Sequence, residues 1–318
     1  MTALLEIRDL RVEYRRGNVA AVRGVSIDLA PGESLGLAGE SGSGKSTLAL
    51  SVLRLLAPEA VKNVSGRLLF KGRDVLALAD GELRSLRGGA VATVFQDPFS
   101  ALNPVLTVGE QIEEVLELHA GGRNPARVRD LLARVRLPEP DRIYASYPHQ
   151  LSGGQRQRVC LAMAVAGGPE LLIADEPTTA LDVTVQREIL DLLDSLRRDL
   201  GMALLLVTHN IGLLSERTDR LGIMYAGELV EVGPTRRVLS DPRHPYTQGL
   251  LKSLPRLTKT ADRLPALPGQ PPDLGRLPAG CPFRPRCPGA FERCEKESPV
   301  LRPVKGAADR AAACHLLP

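Results

Sequence analysis

The chain has 318 residues, of which 41 are Lys or Arg and 37 are Asp or Glu, so its net charge at pH 7 is +4. This length is enough for about two domains and a sizeable buried core. Because the two signs of charge are interspersed along the chain, the composition argues against a nucleic-acid-binding protein, whose basic residues cluster on one face.

The sequence contains no sign of membrane insertion or export. No apolar run approaches the roughly 18 residues that a membrane-spanning helix needs, and residues 202–207 form one of the longest. Near the N-terminus, Glu6, Arg8 and Asp9 interrupt the region that a signal peptide would keep apolar. We therefore expect a cytosolic chain, in a compartment where disulfide bonds are rare.

The first elements are two alternating segments, Leu4 to Tyr14 and Val19 to Leu29. Their period of two predicts a half-buried antiparallel ribbon. Tyr14 ends the first strand. Its ring is suited to stacking on a nucleotide base, and it is equally suited to an ordinary place in a strand, so both interpretations stay open.

A phosphate-binding pattern follows the ribbon. Residues 39–47 read Gly-Glu-Ser-Gly-Ser-Gly-Lys-Ser-Thr and match G-x-x-x-x-G-K-S/T. A buried strand is predicted at residues 34–38, and an apolar-faced helix from Thr47 to Leu56. A glycine-rich turn between strand and helix points successive backbone N–H groups at an anion, and the helix N-terminus adds partial positive charge.

This pattern predicts a nucleoside triphosphate site. Lys45 would bridge the β- and γ-phosphates, and the Ser46 hydroxyl would ligate Mg²⁺. The residues assigned to the nucleotide are Gly39, Ser41, Gly42, Ser43, Gly44, Lys45, Ser46 and Thr47.

The middle of the chain is predicted to hold an inserted helical subdomain. A buried strand at residues 91–95 delivers Gln96 to a loop with two prolines, residues 97–104. Apolar residues then recur at helical spacing over residues 107–119 and 125–135.

A second segment suited to phosphate binding is Leu151-Ser152-Gly153-Gly154-Gln155, which precedes a helix predicted from Arg156 to Ala166. Ser-Gly-Gly at a helix start exposes N–H groups and a hydroxyl at the positive end of the helix. One nucleotide in one chain does not obviously need both features.

Two acids close a buried strand of the parallel type at residues 171–176. Ligands of open α/β sheets bind at the carboxyl ends of such strands. We therefore expect Asp175 to hold Mg²⁺ and Glu176 to orient or deprotonate the attacking water. The alternative is that the acids are plain helix caps ahead of the helix predicted over residues 184–200.

His209 stands at the end of another predicted buried strand, residues 202–208. A lone His is usually structural or merely exposed, but this position favours contact with the γ-phosphate. A hairpin is predicted next, with strands at residues 220–225 and 228–232, and then a short helix near residues 236–239.

The C-terminal part is rich in proline from about residue 255 to 288, which predicts a linker without regular structure. The end of this stretch and the residues after it carry the cysteines Cys281, Cys287, Cys294 and Cys314, separated by five, six and nineteen residues. In a reducing compartment such a cluster points to a metal. Four thiolates suit zinc or an iron–sulfur cluster, and the wide gaps favour the larger centre.

Taken together, the phosphate-binding loop, Gln96, Leu151–Gln155, Asp175-Glu176, Asp182 and His209 resemble the nucleotide-binding subunit of ATP-binding cassette (ABC) transporters over about residues 1–255. The resemblance implies an α/β fold of the ABC type, with an antiparallel β-subdomain and a helical subdomain at about residues 97–166. It also assigns ATP contacts to Ser152, Gly153, Gly154, Gln155 and Asp182, and catalytic and Mg²⁺-binding roles to Gln96.

Several short segments resemble one branch of this family more narrowly. It is the oligopeptide/dipeptide importer branch, which also serves nickel and opine uptake. The segments are Phe95–Pro98, Leu102–Pro104, Tyr147–His149, Asp175–Thr184, His244–Thr247 with Leu250-Leu251, and the Cys281–Cys294 stretch. This resemblance implies a C-terminal appendage over residues 256–318 that holds a [4Fe–4S] cluster, with zinc as the alternative.

The ABC resemblance explains why the chain has two segments suited to phosphate binding. Two cassettes meet head to tail, so that ATP lies between the phosphate-binding loop of one and Ser152–Gly154 of the other. The second cassette would be a paralogue or an identical chain. The implied partners are two membrane permease subunits and, through the complex, a substrate-binding protein, with the cassette at the cytoplasmic face of the membrane and no nucleic acid bound.

Two other hypotheses stay open at this point. One is a soluble ABC ATPase that acts on DNA or ribosomes, although such relatives usually have two cassettes or a long inserted arm. The other is a metal-dependent sensor in which the cassette regulates the cysteine appendage. Within the importer branch, a nickel or opine transporter is the alternative to a peptide transporter.

Overall fold

The computed structural model describes residues 3–179, 181–254 and 267–317. Within these ranges it has twelve strands and eleven α-helices. In chain order they are β1 Leu5–Tyr14, β2 Val19–Leu29, β3 Ser34–Ala38, α1 Lys45–Ser51, β4 Val61–Phe70, β5 Arg73–Asp74, α2 Asp80–Leu86, β6 Val91–Val94, α3 Pro98–Ala101, α4 Val108–His119, α5 Pro125–Arg134, α6 Pro140–Ala145, α7 Gly153–Ala166, β7 Leu171–Asp175, α8 Val183–Leu200, β8 Ala203–Thr208, β9 Arg220–Tyr225, β10 Glu228–Pro234, α9 Thr235–Ser240, α10 Pro245–Lys252, α11 Arg293–Lys296, β11 Arg302–Val304 and β12 Ala307–Ala312.

The chain divides into two compact units. The first comprises residues 1–29, 34–76 and 207–318, and the second comprises residues 30–33 and 77–206. The predicted boundary at residue 255 falls in the stretch 255–266, outside the described residues. The division into a cassette and an appendage therefore stays a prediction.

An antiparallel sheet with the strand order β2-β1-β4-β5 forms one layer of the first unit. The predicted ribbon of β1 and β2 is confirmed, with Leu5 opposite Leu29 and Tyr14 opposite Val19. Leu5 and Ile7 are buried, as the alternating pattern predicts, and Leu10 is buried as well because the register shifts between Ile7 and Leu10. The sequence analysis missed β4, which pairs with β1 on its other edge.

The strands β11-β12-β10-β9-β3 lie side by side in the same unit. The predicted strand at residues 34–38 is confirmed as β3, which is buried throughout and runs parallel to β9. The predicted hairpin is confirmed as β9 and β10. Near the C-terminus, β12 pairs with β10 through Glu231 opposite Ala312. The C-terminal region thus shares a sheet with the strand that leads into the phosphate-binding loop.

In the second unit the strands follow the order β8-β7-β6, with β6 and β7 parallel, and helices α4 to α7 form the predicted helical part. The predicted helices at residues 107–119 and 125–135 are confirmed as α4 and α5. Helix α7 begins at Gly153, three residues before the predicted start at Arg156, because the Ser152 side chain caps it.

In the first unit, helix α1 ends at Ser51, well before the predicted end at Leu56. Arg54 lies in a left-handed conformation, with φ 50°, shortly after the end of α1. An L-residue in this conformation breaks a helix.

Among the described residues, no helix combines the length and the apolar character that crossing a membrane requires.

Candidate nucleotide-binding site

The phosphate-binding loop is held by backbone contacts within the first unit. Gly44 has φ 99°, a conformation that favours glycine, and a Cβ there would overlap the carbonyl oxygen of Ala21 in β2. From the other side, the N–H of Gly227 in the β9–β10 turn donates to the carbonyl of Ser43 over 3.0 Å. Gly44 is therefore required by close backbone packing as well as by the turn.

Lys45 is the first residue of α1, and its side chain is buried. Its ammonium group donates to the carbonyl oxygens of Gly39, over 2.8 Å, and Glu40, over 2.9 Å. The next residue, Ser46, is exposed. A buried cation and an exposed hydroxyl at one helix N-terminus are the groups that phosphate and Mg²⁺ need.

The structure brings Tyr14 to this loop. Its hydroxyl lies 3.2 Å from the hydroxyl of Thr47, and its side chain is half-buried. The ring of a strand residue therefore lies beside the helix that follows the phosphate-binding loop. Base stacking by Tyr14 stays a prediction that this position favours.

His209 directly follows β8, as predicted, and its side chain is exposed. Its contact with the γ-phosphate stays a prediction. His209 belongs to the first unit together with the phosphate-binding loop and Tyr14. The other predicted catalytic residues, Gln96 and Glu176, belong to the second unit.

Asp175 is the last residue of β7 and is buried. Glu176 follows in a left-handed conformation with φ 47°, and its carboxylate accepts a hydrogen bond from the Thr179 hydroxyl over 3.0 Å. A non-glycine residue in this region carries backbone strain, which is typical of functional positions. The structure thus separates the two acids into a buried carboxylate and one turned out of the strand.

Asp182 is the N-cap of α8, where its carboxylate accepts from the N–H of Val185 over 2.9 Å. The acid that caps α8 is therefore Asp182, whereas the cap hypothesis concerned Asp175 and Glu176. This hydrogen bond leaves one carboxylate oxygen, so the predicted contact with ATP is neither confirmed nor contradicted by it.

The Ser-Gly-Gly-Gln segment forms a capping box at the start of α7. The Ser152 hydroxyl accepts from the N–H of Gln155 over 3.3 Å, and the Gln155 side chain accepts from the N–H of Ser152 over 3.0 Å. Gly153 and Gly154 form the first turn, so their N–H groups are among those that a helix leaves without an internal acceptor. The prediction of an anion-facing helix start is consistent with this geometry.

Gln96 follows β6 and is exposed. The loop after it is organised by Gln111 of α4, which sequence reasoning missed. The buried Gln111 amide accepts from the N–H of Asn103 over 2.9 Å and donates to the carbonyls of Asn103 and Leu106, each over 3.1 Å. A signal was present, because Gln111 interrupts the apolar face that Val108 and Ile112 define.

The four C-terminal cysteines do not form a ligand set in this structure. Burial raises the pKa of Cys281 to about 11, and it also raises the pKa of the Cys287 and Cys314 thiols. The N–H of Cys281 donates to the carbonyl of Cys294 over 2.9 Å. Over the described ranges, however, no group of three or more His, Cys, Asp or Glu side chains is arranged to hold a metal ion. The predicted cluster is therefore not supported by this geometry.

Comparison with known proteins tests the resemblance. Residues 22–179 match the ABC transporter family, and residues 230–294 match the C-terminal region of oligopeptide/dipeptide transporters. A peptide import ATP-binding protein of Brucella abortus (strain 2308) is 51% identical over 312 residues, which cover 96% of this chain and 94% of the relative. The chain belongs to the ABC transporter family. Within it, the chain falls in the peptide-import ATP-binding branch.

Two further ABC proteins support this assignment. The dipeptide transport ATP-binding protein DppD of Bacillus subtilis (strain 168) is 44% identical over 304 residues, covering 94% of this chain and 91% of DppD. Among solved structures, the ATP-binding cassette MJ0796 bound to ADP and Pi superposes with a TM-score of 0.64 at 30% identity, covering 73% of this chain and 99% of that one. The predicted α/β ABC fold is confirmed, and as a member of this family the chain is an ATPase.

Proposed function

We propose that this ABC subunit powers the import of oligopeptides or dipeptides through a membrane permease. The observation that carries the proposal is the match of residues 230–294 to the C-terminal region of oligopeptide/dipeptide transporters, because this region lies outside the nucleotide-binding match. The relatives named for peptide import and dipeptide transport, which align over nearly the whole chain, support the same substrate class.

Each predicted site residue has a proposed role in ATP hydrolysis. The phosphate-binding loop and Lys45 would hold the triphosphate, and Ser46, Gln96 and Asp175 would hold Mg²⁺. Glu176 would act on the attacking water and His209 on the γ-phosphate. Support comes from the buried Lys45 ammonium, the exposed Ser46 hydroxyl and the strained backbone of Glu176.

The nucleotide is proposed to lie between two cassettes. The capping box of α7 presents Gly153 and Gly154 at a helix start, which suits the γ-phosphate of ATP bound to an opposing chain. ATP would close the pair and hydrolysis would release it. The second cassette is a paralogue or a second copy of this chain.

The permease is proposed to dock on apolar side chains of the second unit near Gln96. Phe99 and Val105 are 66% and 74% exposed, and Val105 lies between the two residues, Asn103 and Leu106, that Gln111 binds. An exposed apolar patch of this kind suits a helix from a permease subunit. Two permease subunits and a separate substrate-binding protein complete the complex, and the cassette lies peripherally at the cytoplasmic face of the membrane.

The proposal is tested by uptake of a radiolabelled tripeptide into cells that carry or lack the gene. Deletion should abolish uptake, the wild-type gene should restore it, and the Glu176→Gln variant should fail to restore it. If Ni²⁺ uptake depends on the gene while peptide uptake does not, the nickel alternative holds. Co-purification with ribosomes or DNA in place of permease subunits would favour the soluble ATPase.

The metal content of the C-terminal region is a separate proposal. Burial, and after it the charge of neighbouring thiolates, raises the pKa of Cys281, Cys287 and Cys314. Together with Cys294 these are four thiols, and four thiolates suit a [4Fe–4S] cluster or zinc. Protein purified without oxygen is to be analysed for iron, sulfide and zinc. Four irons per chain would support the cluster, and one zinc per chain would support the alternative. Protein that contains neither iron nor zinc would refute both.

A further inference from the structure

Glu40, inside the phosphate-binding loop, is bound at three points. Its carboxylate accepts two hydrogen bonds from Arg286, over 2.6 and 2.9 Å. Its backbone N–H donates to the hydroxyl of Tyr246 over 2.8 Å, and its carbonyl accepts from the Lys45 ammonium over 2.9 Å. One residue therefore joins the C-terminal part of the chain to the lysine that contacts phosphate.

The Arg286 side chain is held on all sides. It is only 4% exposed, and its Nε donates to the carbonyl of Pro268 over 2.8 Å. Its guanidinium lies 5.9 Å from the ring centroid of Tyr225 and 6.0 Å from that of Phe283. The bidentate hydrogen bonding to Glu40 raises the pKa of Arg286 above its ordinary value, so the guanidinium stays charged. A planar fork with every nitrogen engaged fixes the position of the carboxylate that it binds.

Tyr246 is fixed through a second chain of contacts within the same unit. Arg310 of β12 pairs with the fully buried Glu231 of β10 over 3.0 Å. The other carboxylate oxygen of Glu231 accepts from the N–H of His244 over 3.0 Å, and His244 caps the helix that carries Tyr246. Both groups that hold Glu40 are therefore anchored in the C-terminal region.

We propose that Arg286 is a positioning residue for ATP binding, which fixes the phosphate-binding loop and Lys45 through Glu40. The inference rests on the ATP-binding activity that family membership assigns to this chain. It predicts that a residue 246 positions from Glu40 controls nucleotide affinity without contact with the nucleotide.

The test uses the full chain and Mg²⁺-ATP. Arg286→Met keeps the length and the apolar packing of the side chain but leaves Glu40 without its partner. We expect the Kd for ATP and the KM to rise about tenfold, while kcat changes much less, because the loop is less well ordered before ATP binds. A role in folding alone would lower the active fraction, and hence the apparent kcat, and leave KM unchanged.

Arg284→Met is the matched control, since Arg284 lies in the same short turn and pairs with the exposed Glu295 over 3.5 Å. It should leave Kd and KM as in the wild type. Arg286→Lys, which keeps the charge without the fork, should give an intermediate KM, and it replaces Arg286→Met if the Met variant does not fold.

A double-variant cycle isolates the pathway through Glu40. If Arg286 acts through Glu40, the double variant Glu40→Gln with Arg286→Met should bind ATP no more weakly than Arg286→Met alone. Additive losses, or an unchanged KM in Arg286→Met and Arg286→Lys, would overturn the inference. Failure of the wild type itself to bind ATP would instead contradict the family's activity, so the two outcomes are distinguishable.

Discussion

The guanidinium carbon of Arg156 lies 4.0 Å from the centroid of the Phe99 ring. Arg156 belongs to the first turns of α7, and its Nε also donates to the carbonyl of Pro148 over 2.7 Å. Phe99 lies on the loop after Gln96. Within the second unit, the segment proposed to meet the permease and the helix that begins with Gly153 are therefore in direct contact.

This contact predicts that Phe99→Ala uncouples hydrolysis from transport. Losing a cation–π contact should weaken the docked loop by about 0.5–2 kcal/mol. ATPase activity of the purified subunit should persist, whereas its stimulation by permease and peptide in proteoliposomes should fall. Phe291→Ala, at a Phe that is 43% exposed in the C-terminal region, serves as the control. Full stimulation of the Phe99 variant would contradict the prediction.

Glu176→Gln should bind ATP and hydrolyse it about 10²–10⁴-fold more slowly, because the amide cannot accept the proton of the attacking water. The trapped ATP-bound pair should be visible as a dimer in size-exclusion chromatography. Glu188→Gln, at an exposed residue paired with Arg158, controls for loss of a carboxylate in the same unit. Normal turnover by the Glu176 variant would place catalysis elsewhere.

If each ATP site is built from two chains, two inactive variants should restore part of the activity when they are mixed. Lys45→Ala should abolish ATP binding at the site of its own chain, and Ser152→Arg should block closure onto the opposing chain. Each variant alone should lose nearly all turnover, while their mixture should recover part of it, since one mixed site is intact. The assay is phosphate release against mixing ratio. A monomeric preparation with the full rate would disprove the composite site.

The burial of His244 predicts that low pH destabilises the fold of the first unit. Burial lowers its pKa from 6.5 to about 3, and its Nδ1 accepts from the N–H of Tyr246 over 3.0 Å. Protonation of His244 therefore favours the unfolded chain. The contribution of neutral His244 to the free energy of unfolding is fully present above pH 6.5 and is lost as the pH falls toward 3.

His244→Asn, whose side-chain oxygen replaces Nδ1 as acceptor, should reduce the pH dependence of the unfolding free energy by about 1.4 kcal/mol per pH unit in this window. Urea titrations followed by circular dichroism measure it. The neighbouring Glu231 and Arg310 are present in both proteins, so the difference isolates His244. Equal slopes for wild type and His244→Asn would refute the assignment.

Local patterns were enough to predict the elements that carry the predicted site residues. The strand before Gly39, the helix after Gly44 and the buried strand ending at Asp175 follow from short-range periodicity and turn chemistry, and the structure has them. Helix caps shifted the boundaries. The start of α7 depends on which backbone N–H donates to the Ser152 hydroxyl, and residue spacing does not specify that.

Long-range partners could not be predicted in this way. Residues 307–312 have no strand-like alternation of apolar residues, and they form β12 because β10 offers an open edge. In the same way, no feature of Arg286 in a proline-rich stretch indicates Glu40 as its partner. The cysteine spacing suggested a metal, but spacing alone does not determine where four thiols lie in space.

The pairing of β12 with β10 bears on how much of the chain a stable cassette requires. Removing the residues from β11 onward would leave Glu231 and Val232 without their partners in β12 and would remove Arg310 from the buried Glu231 carboxylate. An unpaired strand edge invites pairing with another chain, and a buried charge without its partner is strongly destabilising. A shortened protein that keeps every nucleotide motif should therefore aggregate.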